Sequence, residues 1–345
     1  MIRLPKLRTI AAAAGAFVAM VAATPASAFV YATSHLEIKN LMLAFDPTVV
    51  IKSFTFGLTN TADINGNGDF ATKTCTKAAG NCGLGPVLDA RQAVAPDSTG
   101  PYITALKLPA GENTYSFATS PDVRAIPSNS FSRSDSIITT AQLVTGTPTS
   151  TNQIAESLLN VTGTASANSE VKSNTSLTAT FTGTRNVNLS FDADPDQLAE
   201  IGGGSTGISA LSNLNASFTL LKNGVGAGSV SFTPNAAGAA DCVVSANLVL
   251  AGVTCLVIDD TQDLNFNAGI GSAGTSENSF ESANTFTHFA IRISGLANSD
   301  YSVAFNAVTS TLIEAQVVPE PGTAGLVGAA LAGLALTVRR KRKQS

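Results

Sequence analysis

The sequence predicts an all-β fold, an antiparallel β-sandwich of jelly-roll type, from three observations. Apolar and polar residues alternate in short runs, as in residues 52–58 and again through 175–193. Turn dipeptides separate the runs, among them Asn65-Gly66, Asn67-Gly68 and Asn223-Gly224. The chain is 44% hydrophobic, which sets it apart from a disordered chain and leaves residues 29–318 enough apolar material for a sizeable core.

Taken in order, residues 34–45 read as a strand with a phase change near Asn40, the mark of a bulge. Phe54, Phe56 and Leu58 share one face of the next strand. Residues 76–110 are irregular, with short strands expected at 102–108 and 114–118, and 136–144 is a further strand. Residues 145–152 have linker composition and are the candidate internal boundary. Residues 153–159 are expected as a short helix with Ile154, Leu158 and Leu159 on one face. Residues 175–193 read as a hairpin or one bent strand, followed by a helix over 195–201 with Asp192, Asp194 and Asp196 at its positive end. Residues 213–221 and 228–233 make a second hairpin, and 243–250, 253–258, 262–267, 280–293 and 301–318 continue as strands.

Both ends carry export signals. Arg3, Lys6 and Arg8 precede an apolar run over 10–23 and an Ala26-Ser27-Ala28 cleavage site, so residues 1–28 read as a secretory signal peptide and the mature chain starts at Phe29. At the other end Pro319, Glu320 and Pro321 precede an uncharged run over 322–338 and the basic cluster Arg339, Arg340, Lys341, Arg342 and Lys343. A helix over that run reaches about 25 Å, slightly short of a hydrocarbon core of about 30 Å. The cationic tail favours the cytoplasmic side and leaves the body outside. An unprocessed C-terminal anchor is the plainer alternative.

This order of motif, helix and tail resembles the PEP-CTERM sorting signal of exported bacterial proteins. The resemblance spans only the last 27 residues and speaks to address. It implies an exosortase-like processing enzyme as partner, removal of the helix near the motif, and a non-enzymatic role in extracellular matrix, biofilm or floc alongside exopolysaccharide or other surface proteins.

Charge narrows the partners of the body. All 24 acidic residues lie within 29–320, whereas 8 of the 20 basic ones lie in the two terminal signals, leaving 12 − 24 = −12. Such a body repels nucleic acid and anionic lipid, and attracts divalent cations. Asp63, Asn65, Asn67 and Asp69 alternate around Gly66 and Gly68, so their oxygens resemble positions of a calcium loop. Position 12 of that loop is Thr74 rather than Glu, and Asn-Gly pairs equally specify a hairpin turn. Calcium is therefore the one cofactor the sequence raises, and a calcium-dependent carbohydrate-binding sandwich is the second functional reading.

Cys75, Cys82, Cys242 and Cys255 form an even set, as expected for disulfides outside the cytoplasm, with the local pairs 75–82 and 242–255 preferred. A zinc site lacks the ligand spacing. His35 and His288 stand apart from any catalytic motif and read as structural, and Trp, the best sugar-stacking side chain, is absent. A secreted hydrolase is the third reading, with no catalytic residues assignable.

Overall fold

The computed structural model describes residues 28–45, 49–64, 66–77, 88–94, 131–139, 148–161, 167–183, 185–202, 207–279 and 286–315. They form two eight-stranded antiparallel sheets packed face to face. The signal peptide, the sorting motif with its helix and basic tail, Cys82 and the strands expected at 102–108 and 114–118 lie outside the described residues. Among the described residues no helix is long and apolar enough to cross a membrane.

The first sheet contains β1 (Ala28–Phe45), β4 (Leu88–Val94), β5 (Phe131–Thr139), β6 (Thr149–Val161), β8 (Asn186–Gly202), β12 (Thr254–Asp260), β14 (Gly274–Ser279) and β15 (Thr287–Ser294). The second contains β2 (Val50–Ile64), β3 (Asn67–Lys77), β7 (Ala167–Thr182), β9 (Ile208–Lys222), β10 (Gly228–Phe232), β11 (Cys242–Val244), β13 (Asn267–Ile270) and β16 (Asp300–Ala315). β1 is central in the first sheet, between β6 and β8, and β16 is central in the second, between β9 and β7. Strands before and after residues 145–152 share both sheets.

The phase change at Asn40 is a bulge: its φ is 55°, and the pairing of β1 with β6 and β8 shifts there. Phe54, Phe56 and Leu58 point into the core, where Phe191 stacks on Phe289 and meets the edge of Phe305 from the opposite sheet. The hairpin at Asn223-Gly224 forms as β9–β10.

Four expectations are corrected. Residues 153–159 are strand, the middle of β6, because Gln153 and Ser157 face the sandwich interior while Ile154, Glu156 and Leu158 are buried on the other face. Residues 195–201 are strand too; Pro195 pairs with Leu36 of β1 and falls in the gap where β15 ends opposite Ala193 and β14 begins opposite Asp196, so it has no ladder partner on that side. Residues 175–193 do not close a hairpin, since β7 and β8 belong to opposite sheets and the chain crosses over at residues 183–185. Residues 243–250 divide into β11 and a one-turn helix α1 (Ala246–Leu250), stopped at Gly252 with φ +81° and Val253 N–H donating to Leu248 O at 2.9 Å.

The Cys242–Cys255 disulfide joins β11 to β12, and so ties one sheet to the other. In the chain-entropy picture a loop of that size contributes about 3 kcal/mol.

Candidate functional site

The richest polar assembly lies on the face of the first sheet that points away from the sandwich core. Strand alternation puts Tyr31, Thr33, His35, Glu37 and Lys39 of β1 there. Register places them beside Glu200, Leu198, Asp196, Asp194 and Asp192 of β8. On the other side stand Leu158, Glu156, Ile154 and Asn152 of β6, and Arg133 of β5 beyond them.

Although this face points outward, much of it is buried. Tyr31, Leu158 and Glu156 are all under 5% exposed. Tyr31 donates its hydroxyl to one carboxylate oxygen of Glu156, and the Arg133 guanidinium donates to the other. Tyr31 itself packs with Leu158, Leu198 and Phe29. Both oxygens of this carboxylate are thus engaged, which makes it an anchor for its neighbours rather than an open base.

His35 is buried and held from two sides. Its Nε2 lies 3.1 Å from Asn152 Oδ1 and its Nδ1 3.5 Å from Asp196 Oδ2. His288 is half exposed on β15, with Nδ1 2.6 Å from Asp192 Oδ1, while the other oxygen of Asp192 accepts from Asn40 at the bulge. Each imidazole therefore fastens one strand to its neighbour. The aspartates of β8 sit at the same register as His35, Glu37 and Lys39 rather than at a helix start.

Asp63 caps a hairpin. β2 and β3 meet with Ile64 opposite Asn67, and Gly66, at φ +79°, donates its N–H to Asp63 Oδ1 at 2.9 Å. Asn67 and Asp69 pair with Ile64 and Ala62, whereas Asp63 pairs with Gly68; Asn65 lies outside the described residues. Among the described residues no group of three or more His, Cys, Asp or Glu is placed to hold a metal ion.

Two buried carboxyls depart from ordinary behaviour. Burial first, then Asp196 and Glu37, push Asp194 up to about 6, against the pull of His35 and Lys39. Burial and the adjoining Asp241 push Asp260 up to about 7, with Asp263 adding to the rise and the Ala236 N–H opposing it. An unfolded aspartate ionises near pH 4, so between there and these raised values the folded chain holds more protons than the unfolded one. Their stabilising contribution is complete below about pH 4 and is lost as pH rises through about 6 and about 7. Urea unfolding is expected to show stability lower at pH 8 than at pH 5, by on the order of 1–3 kcal/mol. Asp260→Asn should flatten that slope; an unchanged slope would show that Asp260 does not contribute to it.

Sequence reasoning missed Tyr31, Arg133 and Glu156. The signal was present in residues 149–161, where a lone acid sits among apolar residues on the face that the strand period makes outward.

Residues 317–342 match the PEP-CTERM protein-sorting motif. The match includes Pro319, Glu320, Pro321 and most of the basic tail, and implies a protein exported and sorted to the cell envelope as an exosortase substrate. No curated protein and no solved structure matches the chain.

Proposed function

We propose that the β-sandwich is the non-enzymatic working part of a surface or matrix protein, one that associates with exopolysaccharide or with other surface proteins in a biofilm or floc. The observation that carries this reading is the sorting motif at 317–342, placed directly after a strand-built body. Composition supports it: few charges, a neutral polar surface and a net-acidic body suit a hydrated matrix more than a nucleic-acid or lipid partner. The polar groups of the first sheet support it too, since Glu156, His35 and His288 are each spent on neighbouring strands.

Intact mass of the protein recovered from host membrane and medium tests the reading. The expected product starts at Phe29 and ends near residues 319–321, in the medium or matrix fraction. Replacing Pro319, Glu320 and Pro321 together by Ala is expected to leave a membrane-bound species that runs through Ser345. A body found in the cytosol, or a matrix fraction free of the protein, would overturn the proposal.

A further inference from the structure

Two buried carboxyls meet where the open edges of the two sheets come together. Asp260 ends β12, at the edge of the first sheet, and pairs there with Phe289. Asp241 ends a single 3-10 turn, Gly238–Asp241, that leads into β11 at the edge of the second sheet. The turn rests against β12, and the Cys242–Cys255 bridge follows directly. Asp241 is 4% exposed and Asp260 8%, and their side chains adjoin. Like charges are unfavourable to bury together unless something neutralises them.

Among the described residues the chain supplies no neutralising group. No Lys or Arg occurs between Lys222 and Arg292, and neither aspartate makes a salt bridge. Asp241 Oδ2 accepts the Ala237 N–H at 2.7 Å. Both oxygens of Asp260 are sealed from solvent, and neither has a hydrogen-bond partner of good geometry, although the Ala236 N–H faces the carboxyl. A buried carboxylate in that state is rare in folded proteins and calls for an ion.

Neutral oxygens stand beside the pair. Asn235 Oδ1 accepts the same Ala237 N–H, at 3.1 Å, and so lies next to Asp241. Asn235 also bridges to Asp263, which brings the segment after β12 to the same place. Asp263 itself is turned aside, with Oδ1 accepting the Asn265 N–H at 2.6 Å. The donors are therefore two carboxylates and an amide oxygen, with no free thiol among the described residues. That set suits a hard cation with a flexible oxygen shell, which is calcium. Magnesium holds to six ligands at short, fixed distances, and zinc prefers nitrogen and sulfur.

We propose that Asp241 and Asp260, with Asn235 Oδ1, form a calcium site that fastens β12 of the first sheet to the turn before β11 of the second. The ion replaces repulsion between two carboxylates by attraction to both. It sits beside the disulfide, so the open side of the sandwich is closed by one covalent and one ionic link. The site is separate from Asp63, whose carboxylate caps the β2–β3 hairpin.

The test is calcium binding by the full-length chain in detergent, stripped of metal with a chelator, at constant pH and ionic strength. Titration calorimetry with calcium chloride is expected to give a Kd of about 10⁻⁴–10⁻³ M, the range of extracellular modules. Calcium at about 100 times Kd should raise the melting temperature by about 5–10 °C, and magnesium at the same concentration by less. Asp260→Asn removes a buried charge and should leave the calcium-free protein folded, yet weaken calcium binding by about 10-fold or more. If that variant melts early, Asp241→Asn, which keeps an acceptor for the Ala237 N–H, replaces it with the same expected loss. Asp63→Asn should leave binding unchanged. No calcium binding, binding that survives Asp260→Asn and Asp241→Asn, or a rise in melting temperature matched by magnesium or by sodium chloride would each overturn the proposal.

Discussion

Phe191→Ala is expected to destabilise the sandwich by about 3–5 kcal/mol, a large part of the stability of a typical domain. Phe191 is 1% exposed and lies where the two sheets meet. Its ring stacks on Phe289 of the neighbouring strand at 5.1 Å, and Phe305 of the opposite sheet meets it edge-on at 5.5 Å. Truncation removes buried apolar area and opens a cavity between rings held on long, doubly paired strands. Phe191 itself pairs with Phe289 of β15, and β8 is held to β1 at Asp192 and Ser190 on either side of the Asn40 bulge, so its backbone has limited freedom to close the gap. Urea unfolding measures the effect. Phe70→Ala is the control: that ring is 67% exposed, and its loss should cost less than about 0.5 kcal/mol. A Phe191→Ala cost no larger than the Phe70→Ala cost would mean that the rings do not hold the sheets together.

The parts of the fold that sequence showed are those where strand period and face chemistry agree. Phe54, Phe56 and Leu58 alternate with polar residues and point inward as expected. The bulge at Asn40 was visible because the apolar phase breaks there. The pairing of Cys242 with Cys255 followed from short separation across turn residues.

Legibility failed where the sandwich interior is polar. A belt of buried hydroxyls and amides crosses the middle of the core: Ser173 and Ser136 donate to Asn60, Ser157 meets Thr311 at 2.9 Å, and Thr151 meets Thr175 at 3.2 Å. Strands that contribute to this belt turn hydroxyls inward, and β6 buries apolar residues on its outer side as well. Its alternation is then lost, and Ile154, Leu158 and Leu159 take on a helical spacing. β8 was obscured for a different reason, a mid-strand proline beside three aspartates, both of which belong to helix starts more often than to buried strands. The Tyr31–Glu156–Arg133 assembly could not be read because its members come from three strands far apart in sequence. Only the register of β1, β6 and β5 brings them together.

That assembly is the second place where a single change should have a large effect. Glu156→Ala is expected to cost about 3–5 kcal/mol. The carboxylate is 4% exposed and accepts from the Tyr31 hydroxyl and the Arg133 guanidinium at once. Removing it withdraws an ion-pair partner from a guanidinium whose side chain is only 19% exposed, and one acceptor from a phenol that is 1% exposed. The cost arises from breaking a partnership and not from losing a net attraction, because desolvation of both ions offsets much of their pairing energy. A double substitution tests this distinction. Glu156→Leu with Arg133→Leu removes both charges and keeps apolar volume, so it should be distinctly less destabilising than Glu156→Ala alone. Measured as a cycle by urea unfolding, the coupling should reach about 2 kcal/mol. Additive effects of the two sites would show that Arg133 and Glu156 act independently, and that β5 is held to β6 by its backbone ladder alone.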